Sequence, residues 1–476
     1  MDLINGAAFK PTDWSAEGLP IIRIQNLNNP KAAFNHFAGE LAPKFRVQNG
    51  DLLFAWSGTP GTSFGAHIWA GGDAWLNQHI FRVEFDKSKL ESGYLRLAIN
   101  QNLAEYIRQA HGGAGLAHIT KGRFEESEIL IPPLNEQRRI VAKLDALFER
   151  SRNIRDRLDR IPTLLGKLRK SILAAAFRGD LTREWRKQHP DAESASVLLE
   201  RIRAERRKRW EEDLIAKGKD PKKAKYVEPA PIDTQEMSEL PEGWCWASLD
   251  QLSWLITDGE HQTPPRTSSG VPLLSARNVL NGTLSLNDID HVSEETFSLL
   301  ARRFNSEAGD VLLSCSGSVG RSCVVPANLR FAMVRSVAIL KPVLGLGEFL
   351  SLSIRSPLVQ AQIDDAKTQT AQSNLFQGKI KKLVVALPPL NEINEITAAV
   401  ADSLARVVLL ENGAATARRK NQRGEGSFLA KAFCGELVSQ GPNDEPASAL
   451  LERIRAERAA QPPAKRARKT TTTRTA

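Results

Sequence analysis

A nine-residue sequence, LLERIRAER, occurs twice in the 476-residue chain, at 198–206 and again at 450–458. The copies are 252 positions apart, and four further pairs of similar segments lie at offsets of 252 to 259. These pairs are GLPIIRIQNLNN with GVPLLSARNVLN, GDLLFAWSG with GDVLLSCSG, IPPLNE with LPPLNE, and SILAAAFRGDLT with SFLAKAFCGELV. A repeat of about 250 residues is too long for a solenoid and fits a duplicated pair of domains. The sequence therefore predicts two halves with the same fold.

Short apolar runs separated by Gly, Pro, Asn and Ser clusters open each half. The first half has PIIRI, DLLFAW and HIFRVEF, and the second has VPLLSA, DVLLSC and SVAILKP. Runs of this length bounded by turn residues are typical of strands. Each half therefore begins with a mixed, β-rich region of roughly 130 residues that includes a few helices.

The motif PPLNE predicts the start of a helix in both halves. Proline cannot continue a preceding strand, and Asn135 or Asn391 is suited to cap a helix N-terminus. The acidic Glu136 or Glu392 suits the positive end of the helix dipole. We expect a helix of about 44 residues from 135 to 178, unless Pro162 kinks it or divides it into two segments.

Large apolar residues follow one another in these helices at alternating steps of three and four. A single amphipathic helix on a globular core usually shows a wider stripe and a shorter run, so the spacing favours a coiled coil. Because one chain carries two such helices, they can pair antiparallel without a second copy. The predicted coiled-coil and partner-contact positions are Ile140, Leu144, Leu147, Ile154, Leu158, Leu165, Leu168, Ile396, Val400, Val407 and Leu410.

Charge favours a polyanionic partner. The chain has 65 Lys+Arg against 55 Asp+Glu, a formal net charge of +10. Residues 138–187 alone hold 15 Lys+Arg against 6 Asp+Glu. This local excess predicts phosphate contact or docking to an acidic partner, with a solvated helix face as the alternative.

Motifs of several enzyme classes are absent from the sequence. No G-x-x-x-x-G-K-[ST] loop occurs, and the three Pro-Pro pairs lack the flanking residues with which adenine methyltransferases hold a flipped base. The four cysteines form no C-x-x-C pair, which favours buried free thiols over a metal site. With no apolar run of 18 residues and no signal sequence, we expect a cytoplasmic, non-catalytic chain that binds no metal and no membrane.

In combination, IPPLNEQRRIVAKLDALFER, KLRKSILAAAFRGDLT, the G-D-L-L-x-x-x-S-G segment and the repeated AFRGDL or AFCGEL ending resemble the specificity (S) subunit of type I restriction-modification systems. The resemblance covers nearly the whole chain. It implies an α+β fold with two β-rich α/β target-recognition domains and pseudo-twofold internal duplication. Long conserved helices would separate the domains and form an intramolecular antiparallel coiled coil.

The expected boundaries follow the repeated segments. They are 1–133 for a first, N-terminally truncated recognition domain, 134–187 for the first spacer helices, 188–237 for a helix and charged linker, 238–389 for the second recognition domain, 390–438 for the second spacer helices, 439–460 for the repeat helix and 461–476 for a disordered basic tail. The truncation is expected because LPEGWCWASLDQLSWLI, at 240–256, has no counterpart in the first half. About seventeen residues, including a strand and tryptophans, are missing from that domain.

The resemblance implies a subunit that is not an enzyme by itself. Each recognition domain would read one half of a bipartite, asymmetric target in double-stranded DNA. Two methyltransferase (M) subunits would methylate adenine N6 and restriction (R) subunits would cleave DNA, with S-adenosylmethionine, ATP and Mg on those partners and no cofactor on this chain. The alternative is a coiled-coil protein-binding scaffold with two β-rich domains. Salt-dependent, sequence-selective binding of duplex DNA together with an M subunit would distinguish the specificity subunit from this scaffold.

Two further expectations concern how the DNA is read. Helix length would set the unspecified spacer, so insertions near Leu165 would change spacer length and leave both half-sites intact. Polar side chains at strand ends have donors suited to base edges or phosphates. The candidate DNA-binding residues are Arg23, Gln25, Asn26, Asn28, Lys121, Arg123, Arg277, Asn278, Gln372, Ser373 and Asn374.

Overall fold

A computed structural model describes residues 1–460 except 30, 59–63, 104–116, 261, 263, 302–304 and 368–373. The disordered tail expected at 461–476 lies outside the described residues. The chain forms two compact units. Unit 1 consists of residues 1–158 and 416–476, and unit 2 consists of residues 159–415. Each unit therefore holds one β-rich region and one portion of each long helix.

The described strands are short, as the apolar runs predict. They are β1 Asp2–Asn5, β2 Leu19–Ile22, β3 Asn35–Phe37, β4 Arg46–Val47, β5 Leu52–Ala55, β6 Ser57–Gly58, β7 Gly65–Ile68, β8 Ala74–Leu76, β9 Ile80–Glu84, β10 Ala117–His118, β11 Cys245–Ser248, β12 Ser253–Asp258, β13 Val271–Leu274, β14 Val279–Leu280, β15 Thr283–Leu284, β16 Asp290–Val292, β17 Val311–Ser314, β18 Ser322–Val324, β19 Ala332–Met333, β20 Val337–Pro342 and β21 Val384–Leu387.

The described α-helices include two of 44 residues. They are α1 Ile24–Asn28, α2 Ser92–Gln101, α3 Lys121–Glu125, α4 Leu134–Phe177, α5 Arg183–Gln188, α6 Ala195–Ala216, α7 Leu249–Leu252, α8 Glu294–Ala301, α9 Gly347–Ile354, α10 Pro357–Ala366, α11 Gln377–Ile380, α12 Leu390–Phe433 and α13 Ala447–Ala460. Helix α13 lies within the region where the sequence predicts a repeat helix.

The two units repeat the same pair of sheets. Unit 1 has a sheet in the order β1-β9-β5-β7 and a second in the order β3-β2-β8-β4. Unit 2 has the orders β12-β20-β17-β18 and β16-β13-β19. In each second sheet the strand formed by the GLPII or GVPLL segment pairs parallel with one later strand, β2 with β8 and β13 with β19. The duplication predicted from the repeated segments is therefore present in the backbone.

One pairing of unit 2 has no equivalent among the described residues of unit 1. Strand β11 pairs antiparallel with β21, from Cys245 opposite Leu387 to Ser248 opposite Val384. All four residues of β21 are buried. The matching residues 128–131 of unit 1 are described and belong to no strand. The reason is in the sequence, because β11 lies in the segment that lacks a counterpart in the first half.

The GDLL and GDVL segments build a turn that enters the central strand of each first sheet. Gly50 and Gly309 have positive φ angles of 87° and 92°, where an L-amino-acid side chain would be strained. The following aspartates close the turn, since Asp51 accepts a hydrogen bond from Gln48 N at 2.8 Å and Asp310 accepts one from Glu307 N at 2.7 Å. These turns therefore serve the fold.

Helices α4 and α12 begin one residue earlier than the PPLNE motif predicts. Both start at the leucine, so Asn135 and Asn391 lie inside the first turn and the predicted asparagine caps are wrong. Helix α4 also continues through Pro162 without interruption. A proline removes one intrahelical hydrogen bond, and the bonds of neighbouring turns hold the helix together on both sides.

Within each unit the two long helices run antiparallel. In unit 1, Ile140 and Leu144 are buried in a cluster with Ala432, and further along Ser151 Oγ accepts from Asn421 Nδ2 at 2.8 Å. In unit 2, Arg169 forms a bidentate ion pair with Glu411 at 2.6 Å. The core of that unit also includes Leu173, Ile396 and Val400. The predicted intramolecular antiparallel helix pair is confirmed.

Three of the predicted coiled-coil and partner-contact positions are not buried within the helix pair. Ile154, Leu168 and Leu410 are exposed, at 46%, 41% and 56%. Leu147 and Leu158 are half-buried. An α-helix repeats every 3.6 residues, so a strict seven-residue pattern drifts by about 20° per heptad unless the helices supercoil. The other predicted positions, Leu165 and Val407, are buried in the helix pair of unit 2.

Candidate nucleic-acid interface

In unit 1 the turn after β2 is built around a buried asparagine. Asn26 is 5% exposed, and its Oδ1 accepts a hydrogen bond from Arg23 N at 3.0 Å. Its Nδ2 donates to Ala33 O at 3.3 Å. The amide of Asn26 is thus used inside the turn, and it holds the chain where α1 begins.

In unit 2 the turn after β13 repeats this arrangement 252 residues later. Asn278 is 2% exposed, its Oδ1 accepts from Ser275 N at 2.9 Å, and its Nδ2 donates to Ser285 O at 3.1 Å. The amide groups of both predicted asparagines therefore form hydrogen bonds within their own loops. Both residues stabilise the turns.

The residue before each asparagine differs in chemical type between the two units. Gln25 and Arg277 occupy this position, and both are exposed. The guanidinium of Arg277 donates to Asp290 Oδ2 at 3.0 Å. Arg266 lies 3.5 Å from the same carboxylate oxygen. Asp290 therefore gathers two exposed arginines beside the turn, and Arg266 is a candidate that sequence reasoning missed because only the fold brings it there.

The remaining candidates have varied surroundings. Arg23 is half-buried, with its guanidinium 5.5 Å from the ring centre of Trp14, and Asn28 is exposed at the end of α1. Lys121 Nζ donates to Leu3 O at 2.9 Å, which ties α3 to β1. Arg123 lies in the same short helix, and Asn374 bridges to Ser316. Gln372 and Ser373 lie outside the described residues.

A cavity of about 600 Å³ adjoins the turn after β2 in unit 1. Asn26 and Leu27 of α1 line one side of it, and the aromatic Trp69 and the guanidinium-bearing Arg96 are also part of its lining. Apolar walls with a few polar groups are typical of a ligand-binding site. The turn that carries Gln25 thus lies next to a cavity with both apolar and polar lining residues.

The basic segment 138–187 does not present all its cations to solvent. Within unit 1, Arg139 pairs with Asp444 and Arg155 pairs with Glu425. Within unit 2, Arg169 pairs with Glu411, and Arg186 pairs with a buried glutamate of α12. Part of the charge excess therefore holds the helices together, which the sequence count alone does not reveal.

The cysteines differ in their burial. Cys315 and Cys323 are buried, and burial raises the pKa of both thiols to about 12. Cys434 is exposed, so the prediction of buried thiols is wrong for that residue. Across the described ranges, no helix has the length and apolarity that crossing a bilayer requires, and no cluster of three or more His, Cys, Asp or Glu side chains is suited to a metal ion.

These features define an internally duplicated protein with two β-rich units and a pair of long antiparallel helices. Two solved structures share the fold. A chain from a structure of the assembly and conformational transition of the type I R-M system matches with a TM-score of 0.59, 19% identity, and coverage of 88% of this chain and 92% of that one. The HsdS subunit from Thermoanaerobacter tengcongensis matches with a TM-score of 0.50, 18% identity, and coverage of 88% and 91%.

Sequence comparisons find similar proteins of one kind. Residues 1–163 match the model of the type I restriction modification DNA specificity domain. The EcoBI specificity subunit of Escherichia coli is 26% identical over 98% of this chain and 92% of its own length. The EcoKI specificity subunit of Escherichia coli strain K12 is 26% identical over 98% and 95%. Over nearly its whole length the chain is thus similar to specificity subunits of type I restriction enzymes, and its first third matches their DNA specificity domain.

Proposed function

We propose that this chain selects the DNA sequence on which a type I restriction-modification complex acts. Each unit reads one half of a bipartite, asymmetric target in double-stranded DNA. The proposed boundaries of the recognition domains are residues 1–133 and 238–389, with the long helices between them. Two M subunits methylate adenine N6 with S-adenosylmethionine, and R subunits cleave unmodified DNA with ATP and Mg. We place this activity in the cytoplasm, together with the partner subunits.

One observation carries the proposal: the same turn presents different side chains in the two units. Asn26 and Asn278 are identical residues with the same internal hydrogen bonds, whereas their exposed neighbours are Gln25 and Arg277. Glutamine suits the N6 and N7 edge of adenine, and arginine suits the O6 and N7 edge of guanine. A shared scaffold with a divergent reading position supports recognition of two different half-sites.

The other candidates divide into reading and supporting roles. Asn28 and Asn374 carry amides suited to base edges, as do Gln372 and Ser373 with their polar side chains. Arg23 and Arg123 are suited to phosphates, which fix the position of the protein on DNA. The Nζ of Lys121 already donates to a backbone carbonyl of β1, so we assign it to the support of α3.

Docking of the M subunits is assigned to the long helices. Within unit 2, Leu164 and Leu168 of α4 are 59% and 41% exposed. Leu409 and Leu410 of α12 are 70% and 56% exposed. Large apolar side chains exposed together on a helix pair are typical of a protein-protein contact. These positions therefore suit an apolar face of a partner subunit.

The reading position is tested by mapping N6-methyladenine in a host that carries the complete system with Arg277→Gln. We expect one base of one half-site to change or relax, with the other half-site unaltered. Discrimination at a bidentate contact amounts to about 1–3 kcal/mol, or roughly tenfold to a hundredfold. Arg330→Gln is the matched control, because Arg330 is 63% exposed, pairs with Glu294 and is not among the candidate DNA-binding residues.

An unaltered methylation motif in Arg277→Gln would remove this residue from the reading role. That result would not contradict the broader proposal that the chain selects a DNA sequence. If the purified complex with M subunits bound duplexes of any sequence equally, and without dependence on salt, the scaffold alternative would replace it.

A further inference from the structure

In unit 1, the segment that connects β8 to β9 is attached to the end of β2. Asn77 N donates a hydrogen bond at 3.3 Å to the carbonyl of Ile22, the last residue of β2. The next residue, Gln78, donates its backbone N–H to Ala7 O at 2.9 Å. This segment, residues 77–79, is the crossover of unit 1, and its backbone is held beside the turn after β2.

In unit 2, the segment that connects β19 to β20 repeats both bonds. This segment, residues 334–336, is the crossover of unit 2. Its first residue donates its N–H at 3.0 Å to the carbonyl of Leu274, the last residue of β13. Its second residue, Arg335, donates its N–H to Glu260 O at 2.9 Å. Gln78 and Arg335 therefore occupy equivalent backbone positions, and their separation lies within the range of offsets between the repeated segments.

A glycine lies against the start of each crossover. A Cβ atom on Gly6 would lie 2.5 Å from Leu76 O, and one on Gly259 would lie 2.3 Å from Met333 O. No side chain fits at such a distance, so glycine permits the close backbone approach in both units. The two crossovers are therefore held in the same place by the same contacts, independently of their own side chains.

In unit 2 a side chain also connects the crossover to the turn after β13. Ser336 Oγ accepts a hydrogen bond from Ala276 N at 3.0 Å. Arg335 and Arg277 are the sequence neighbours of these two residues, and both are exposed. The guanidinium of Arg335 forms no hydrogen bond or ion pair with the described residues. Two exposed arginines thus lie on adjoining segments.

The side chains at the crossovers differ between the units in the same way as those at the reading position. Unit 1 has glutamine at both places, Gln25 and Gln78, and unit 2 has arginine at both, Arg277 and Arg335. Gln78 is half-buried, and its Nε2 lies 3.3 Å from Nε2 of His79. Glutamine suits the N6 and N7 edge of adenine, and arginine suits the O6 and N7 edge of guanine. A retained backbone with this paired change of side chains favours base reading over a role in the fold.

We propose that Gln78 and Arg335 form a second base-reading position, each in its own unit. Arg335 contacts a guanine of the half-site read by unit 2, and Gln78 contacts an adenine of the half-site read by unit 1. Each of these bases is different from the base contacted from the neighbouring turn. This assignment rests on the proposed DNA-recognition function, and it adds two residues to the candidates found at strand ends.

The second reading position is tested by mapping N6-methyladenine in a host that carries the complete system with Arg335→Gln. We expect one base of one half-site to relax, and a different base of the same half-site to relax in Arg277→Gln. Gln78→Ala should relax one base of the other half-site. Arg330→Gln is the matched control, since it makes the same exchange at an exposed arginine of the same unit that pairs with Glu294.

The size of the effect is measured on the purified complex with M subunits, using duplexes altered one base at a time. Arg335→Gln should reduce the preference for the correct base at one position roughly tenfold to a hundredfold, because a bidentate contact is lost. Equal weakening on every duplex, with that preference retained, would assign the guanidinium to a phosphate and overturn base reading by this residue.

An unaltered motif in Arg335→Gln would overturn the second reading position. If that variant fails to assemble, Gln78→Ala tests the equivalent residue, and an unaltered motif there would overturn it too. Failure of the proposed function would give a different result, because the unmodified complex would then bind all duplexes equally. Failure of the second reading position alone leaves the selectivity of the unmodified complex and the effect of Arg277→Gln intact.

Discussion

The two copies of LLERIRAER have the same nine residues and different surroundings. In unit 2, Leu198 and Ile202 are both 0% exposed, because residues 240–253 pack over α6. In unit 1, Leu450 is 2% exposed and Ile454 is half-buried. Identical local sequence therefore gives the same helix, whereas its burial depends on a segment that only one half of the chain contains.

The buried glutamates repeat the comparison. Glu392 has an indole, a hydroxyl and a guanidinium around it, and Glu136 has one carboxylate oxygen with no partner. Among the described residues, unit 2 is thus the closed unit, in which the glutamate and the repeat helix are covered. Unit 1 is the open unit, in which the equivalent residues are less covered.

The largest effect is expected for Trp244→Ala. The substitution removes a buried aromatic side chain, 8% exposed, and one donor to Glu392, so unit 2 should lose about 3–5 kcal/mol of its free energy of unfolding. Urea unfolding of the full chain, followed by hydrogen exchange in peptides of unit 2, measures the loss. Trp14→Ala is the control, since Trp14 is 44% exposed and its loss should leave unit 2 unchanged.

The same substitution in the two copies of the repeat helix should differ in cost. Ile202→Ala removes a fully buried side chain and should destabilise unit 2 by about 2–4 kcal/mol. Ile454→Ala removes a half-buried one and should cost unit 1 less than about 1 kcal/mol. Equal losses in denaturant unfolding would mean that the covering segment does not account for the difference between the copies.

A smaller effect, of opposite sign, is expected for Glu136→Gln. Burial raises the pKa of Glu136 above its ordinary 4.5, so the folded chain binds more protons than the unfolded chain between the two values. Stability of unit 1 should therefore fall as pH rises through that window. The neutral glutamine removes this dependence and should stabilise unit 1 by about 1 kcal/mol at neutral pH, because an unsatisfied carboxylate oxygen is lost. Unfolding curves at several pH values, with and without the substitution, check both expectations.

The smallest effect is expected for Arg169→Ala in the helix pair of unit 2. Arg169 and Glu411 form a bidentate pair, but their side chains are 36% and 39% exposed. Solvent screens such pairs, so the loss should be below about 1 kcal/mol and should shrink further at high salt. A larger loss that disappears in molar salt would show that the ion pair, rather than apolar packing, holds the helices together.

The sequence predicts the duplication, the β-rich regions and the long helices because each is a local or periodic signal. The heptad positions are less well predicted, as the exposure of Ile154 shows, since small rotations of the helices decide which residues meet. Contacts between distant segments escape such signals altogether. Trp244 and Glu392 are 148 residues apart, and the internal use of the Asn26 and Asn278 amides becomes visible only once their loops are folded.

Native-state hydrogen exchange of the full chain tests the central comparison most directly. The amides of β21 pair with β11 in unit 2, whereas the matching residues 128–131 of unit 1 are in no strand. We predict slow exchange at 384–387 and fast exchange at 128–131, with the repeat helix at 198–206 more protected than its copy at 450–458. Equal protection of the two members of each pair would contradict the account of a closed unit 2 and an open unit 1.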